Sequence, residues 1–168
     1  MFSQLIENML FDQYMKEAEY SISLGDTLDM KANIWLVVIT FLGTQSAYFL
    51  SKGLHGYVFW GQVISAALLV IAGLLCLWEL MPRDYLLFRP SGGAIQRKLE
   101  KLRAEHKDNE KLVEAEIVNA QMGWAKERIE VNMRINSKKS ALINWSFWLA
   151  AVAFGLNFAT LATLFKSS

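Results

Sequence analysis

The chain has 168 residues, 54% of them apolar and 20% charged, with a formal net charge of +1 and a mean hydropathy of +0.23. That balance excludes a nucleic-acid binder working by bulk electrostatics, and the lone cysteine, Cys76, excludes a disulfide framework. So high a hydropathy in so short a chain points to lipid as the solvent.

Met1–Tyr20 places Phe2, Leu5, Ile6, Met9, Leu10, Tyr14 and Ala18 at helical spacing, with Glu7, Asp12, Glu17 and Glu19 on other sides. This predicts an amphipathic helix. Its acidity disfavours an anionic lipid surface and favours docking onto a basic segment further along the chain. It lacks the basic-then-apolar pattern of a secretion signal, so the first span is expected to act as its own insertion signal. Ser21–Thr27 contains Gly25 and Asp26, which predict a break in this helix.

Three stretches follow that are nearly free of ionised side chains: Ala32–Leu50, Tyr57–Trp78 and Trp145–Phe165. About 20 apolar residues cross a hydrocarbon core of roughly 30 Å, so each is a predicted span. The first two form a hairpin through a turn with Gly53 and Gly56, and Pro82 stops the second. Trp35, Trp60, Trp78, Trp145 and Trp148 fall near the span ends, as interfacial anchors do. Tyr85–Phe88 is expected to skim the interface, and Pro90-Ser91-Gly92-Gly93 is a loop signal.

Arg83–Lys139 carries every Lys and Arg except Lys16, Lys31, Lys52 and Lys166. By the positive-inside rule this segment and the N-terminus are cytoplasmic, while the Lys52–His55 turn and the C-terminal tail lie outside. Ala94 to about Lys139 is helical in composition. A break is expected near His106–Asn109, where apolar positions lapse between Leu102 and Leu112, giving a helical hairpin. Its second half carries two apolar stripes, Val118–Met122–Ala125–Ile129–Met133 and Val113–Ile117–Trp124–Val131–Ile135. Two stripes require two neighbours: the preceding helix, and a further one for which a second copy of the chain is a candidate.

The expected fold is therefore all-α. It comprises an N-terminal helix and break over 1–30, a hairpin of spans 1 and 2 over 31–81, a cytoplasmic helical segment over 82–140, and a third span with a short external tail over 141–168. Enzyme signatures are absent: there is no phosphate loop, no paired His at metal spacing and no His-Glu-x-x-His helix. No catalytic residue, metal ligand or cofactor site is expected.

Within the third span Ala151, Gly155, Ala159 and Thr163 recur every four residues. Such a ridge of small residues lets helix backbones approach closely in lipid and suits packing of spans or homo-oligomers. Asn157 lies in the same span, where an unsatisfied amide is costly. It either bonds another helix of its own chain or makes a subunit contact. Span 1 has a polar or small stripe at Asn33, Thr40, Thr44, Ala47 and Ser51, and span 2 one at Gln62, Ser65, Ala72, Cys76 and Glu79. Bundling these sides together is the plain expectation.

At the cytoplasmic edge, Asp29 and Lys31 precede span 1, Glu79 and Arg83 flank the end of span 2, and Arg134, Lys138 and Lys139 precede span 3. They serve either as snorkelling anchors or as a charge lock between the cytoplasmic helices and the spans. Arg97, Lys98, Lys101 and Arg103 could meet an anionic ligand, although a solvated positive face explains them equally well.

Asp29-Met30-Lys31-Ala32 opening the first span, Pro82-Arg83 closing the second, and Asn136-Ser137-Lys138-Lys139 leading into the last together resemble the Pycsar effector transmembrane family of small bacterial antiphage membrane proteins. Similarity to the SLATT-type effectors is looser. The resemblance implies a bacterial inner-membrane effector that oligomerises and impairs membrane integrity when a cyclic nucleotide signal appears. Its partners would be the lipid bilayer, further copies of itself and that nucleotide. The other reading is a constitutive scaffold or accessory subunit whose spans merely anchor a partner-recruiting segment.

Overall fold

A computed structural model describes residues 2–86, 92–106 and 109–166, and among these the only regular elements are helices. They are α1 (Phe2–Ser51), α2 (Gly56–Glu79), α3 (Gly92–His106) and α4 (Glu110–Lys166). α1, α2 and α4 are long and apolar enough to cross a membrane. With 50 and 57 residues, α1 and α4 are about 75 and 85 Å long at the helical rise. That is more than twice the hydrocarbon thickness, so only part of each can lie within lipid. The expected break between α3 and α4 falls where the composition placed it. Leu87, Phe88, Pro90 and Ser91, named above for the interface segment and loop, lie outside the described residues, as do Ser167 and Ser168 of the tail.

The expected break at Gly25 is absent, because α1 runs through it. A Cβ on Gly25 would lie 2.5 Å from the Tyr85 hydroxyl oxygen. The glycine therefore makes room for an aromatic ring, and a local turn signal is overridden by a tertiary contact. The hairpin glycines act differently. Gly53 and Gly56 have φ of +70° and +67°, a backbone region that favours glycine, and there the chain reverses from α1 into α2.

The chain divides into two compact units: Met1–Gly25 with Arg83–Asn136, and Asp26–Pro82 with Ser137–Ser168. In the first, α4 has two neighbours within the same chain. Lys98 of α3 lies over the Trp124 ring, and Lys126 reaches Tyr14 of α1. The N-terminal half of α1 thus occupies the second face of α4, for which a second copy had been a candidate. Ala18 is buried and Tyr14 half-buried, whereas Met9 and Leu10 are exposed.

In the second unit, Ile39, Leu69, Ala72, Cys76, Ala150 and Ala153 form one buried cluster, and Leu28, Ala32 and Ile143 another. Val37, Phe41, Val70, Leu74, Val152, Phe154 and Phe158 face outward. Small and polar groups inside with large apolar side chains outside is the arrangement that lipid as solvent demands.

Candidate functional site

The inner face of the three-span unit is a polar seam. Cys76 and Ser146 meet at 3.0 Å, and the Ser146 hydroxyl also lies 2.9 Å from the Ala72 carbonyl oxygen. Ser65 donates to the Ala153 carbonyl at 2.9 Å. Ser46 and Asn157 face each other at 3.0–3.2 Å. Gln62 donates its amide to the Thr160 hydroxyl, while its carbonyl oxygen is buried with no hydrogen-bond partner among the described residues. A Cβ on Gly61 would stand 2.6 Å from the Thr160 methyl, so α2 and α4 approach closely at this level. Each bond replaces water that lipid cannot supply, and each contributes about 0.6 kcal/mol by the measured average for interhelical bonds in membranes.

The predicted stripe of span 2 is this inner face: Gln62, Ser65, Ala72, Cys76 and Glu79 are all buried. The stripe of span 1 is not. Asn33, Thr40, Thr44, Ala47 and Ser51 are exposed, and the buried face runs through Leu28, Ala32, Ile39 and Ser46. The hydroxyls of Thr40, Thr44 and Ser51 bond carbonyls of their own helix at Leu36, Thr40 and Tyr48. Satisfied locally, they need no neighbour and can face lipid.

Span 3 separates two features that its sequence placed together. Asn157 is buried and bonded to Ser46 of the same chain. Ala151, Gly155 and Ala159 are exposed and Thr163 is half-buried, and a Cβ on Gly155 would meet nothing within 4 Å. At 100° per residue, Asn157 lies roughly opposite the ridge. Of the two readings open for it, the bond to another helix of its own chain is the one present here.

At the end of the seam, Lys139 is 2% exposed and forms ion pairs with Asp29 and, at 3.7 Å, with Glu79, which is fully buried. Lys139 shares the inward face of α4 with Ile143 and Ser146, which is why it meets the spans. Lys138 is rotated about 100° from it, and Lys31 likewise from Ala32; both are exposed, as is Arg134, while Arg83 is half-buried. The predicted charge cluster thus narrows to Asp29, Glu79 and Lys139.

In the other unit, Asn132 and Asn136 are buried and tie α4 to α1. The Asn132 amide donates to the Ser21 hydroxyl at 3.3 Å, and the Asn136 amide to the Ser21 carbonyl. Their carbonyl oxygens accept from the Leu86 amide and the Tyr85 hydroxyl at 3.0 and 2.8 Å. Sequence reasoning used Asn136 only as part of a motif and passed over Asn132. The signal was there, since Asn132 lies between the two apolar stripes and Asn136 continues the first of them. Arg97, Lys98, Lys101 and Arg103 are all exposed on α3. Arg97 bonds the Gly93 carbonyl, Lys101 lies 3.8 Å from Glu105, and Lys98 covers Trp124. They do not converge, because Arg103 and Lys98 lie on opposite sides of the Ile95–Leu99–Leu102 stripe. Among the described residues no group of three His, Cys, Asp or Glu side chains could hold a metal ion.

These helices define an all-α membrane protein with three apolar helices long enough to span, a polar interior and a separate helical unit. Residues 18–166 match the family model of the Pycsar effector protein domain. The chain belongs to that family, a group of antiphage effectors. No curated protein and no solved structure matches it.

Proposed function

We propose that the protein is the membrane-acting effector of a nucleotide-second-messenger antiphage system. On this reading it sits in the bacterial inner membrane with its N-terminus and residues 82–140 in the cytoplasm and its C-terminus outside. A cyclic nucleotide signal then drives copies together until membrane integrity fails. Family membership supports the defence role, and the distribution of Lys and Arg supports the orientation.

One observation carries the self-association step: the outward face of span 3 at Ala151, Gly155 and Ala159, with open space beside Gly155. The polar seam is occupied within the protomer, and this outward ridge offers small residues for close packing between copies. In lipid such packing comes from backbone proximity rather than from a hydrophobic effect. The action is physical and uses no catalytic residue.

Dye influx into cells expressing the protein, with and without the nucleotide signal, tests this reading. Influx is expected for the unmutated protein when triggered, and strong reduction is expected for Gly155→Leu at equal expression. Unchanged permeability with the unmutated protein would refute membrane impairment. Full activity in Gly155→Leu would favour the scaffold reading, in which the spans are anchors.

A further inference from the structure

Arg128 is a cation in an unusual place. It projects from α4 between the two apolar stripes and is only 9% exposed. Its Nε is buried without a hydrogen-bond partner. Among the described residues, Arg128 forms no ion pair and no hydrogen bond. Of the carboxylates on α4, Glu116 meets His106 and Glu127 and Glu130 are exposed; on α1, Glu17 accepts from Gln13. A cation this buried, with no counter-charge among the described residues, is costly to hold.

The same stretch of α4 carries more of the chemistry that binds phosphate esters. Trp124 lies one turn before Arg128 on the same face, half-buried, with the Lys98 ammonium 5.4 Å from its ring centroid. An indole with an ammonium over its ring and an arginine one turn along the same face suits a nucleotide, whose base offers a π-face and whose phosphate offers charge. The guanidinium fork fits phosphate oxygens in a way that a point charge does not.

We propose that Arg128 is the receptor for a phosphodiester anion, with the cyclic nucleotide signal as its source and Trp124 and Lys98 beside it. This rests on the nucleotide-triggered reading above and names the site for it. The anion supplies a counter-charge that Arg128 lacks among the described residues, so binding stabilises the unit built around α4. A lipid headgroup has the same phosphodiester chemistry and is the other source.

The test uses the full chain in phosphate-free detergent micelles, probed with the four common 3′,5′-cyclic mononucleotides and separately with phosphatidylglycerol. One of the nucleotides is expected to raise the melting temperature of the unmutated protein. Arg128→Met is expected to melt no lower than the unmutated protein without ligand, and to bind that nucleotide roughly tenfold or more weakly, as loss of a charge-assisted bond requires. Arg128→Lys should fold alike and retain part of the affinity.

Equal nucleotide affinity in Arg128→Met and Arg128→Lys would overturn the site and leave the trigger reading standing. A marked drop in the ligand-free melting of Arg128→Met would make the guanidinium a structural group and overturn it too. Stabilisation by phosphatidylglycerol alone, lost in Arg128→Met, would keep the phosphodiester site and remove the nucleotide from it. Binding of neither probe to the unmutated protein would overturn the site, and dye influx on nucleotide production would then judge the trigger reading separately.

Discussion

Replacing Lys139 by methionine removes a cation that pairs with both Asp29 and Glu79. The Lys139–Glu79 separation of 3.7 Å corresponds to about 4 kcal/mol at an effective dielectric constant near 20. The Asp29 side chain is 40% exposed, so its pairing is discounted for solvent to roughly 1 kcal/mol or less. Because Glu79 is fully buried, the dominant effect of Lys139→Met is to remove a cation paired with a buried carboxyl group, at a cost of about 3–5 kcal/mol. In a thermal melt of the detergent-solubilised protein this amounts to roughly 10 °C. Adding Glu79→Met should recover most of the loss, because two apolar side chains can replace a buried ion pair with little penalty. A double-mutant cycle measures the coupling directly. Additive losses, or a Lys139→Met protein that melts with the unmutated one, would refute the lock.

Gly25→Ala should lower stability by about 1–3 kcal/mol through overpacking against Tyr85. In a Tyr85→Ala background the same change should reverse sign and stabilise by up to about 1 kcal/mol, because alanine outranks glycine within a helix; thermal melts of the four proteins check both. Asn157→Leu should cost only about 0.6–2 kcal/mol, since it breaks an internal bond to Ser46. It should also leave the oligomer distribution unchanged by light scattering in detergent. A well-folded Asn157→Leu protein that no longer self-associates would return that residue to the subunit interface.

The span count, the α3–α4 break and the inner face of span 2 were legible because each rests on local chemistry. Apolar length, lapsed periodicity, paired glycines and Pro82 all act within a few residues of themselves. The inner faces of spans 1 and 3 were not legible for a physical reason. In lipid, a threonine hydroxyl can bond its own helix, so Thr40 and Thr44 do not reveal which way they face. A ridge of small residues suits contact within one chain or between two, and no rule of spacing distinguishes them. Gly25 carried a turn signal whose use is a contact with Tyr85, distant in sequence. Arg128 could have been noticed as a lone cation between two apolar stripes. Its lack of a partner needed the packed helices to become visible.

Cysteine cross-linking across the proposed contact tests the account most directly. In a Cys76→Ser background, Gly155→Cys places a thiol on the outward ridge of span 3 and Ala153→Cys places one on the buried face. Under mild oxidation in membranes of triggered cells, Gly155→Cys should give disulfide-linked dimers and Ala153→Cys should not. Triggered cells that take up dye while the Gly155→Cys protein remains monomeric, or dimers formed equally by both variants, would contradict self-association through this ridge.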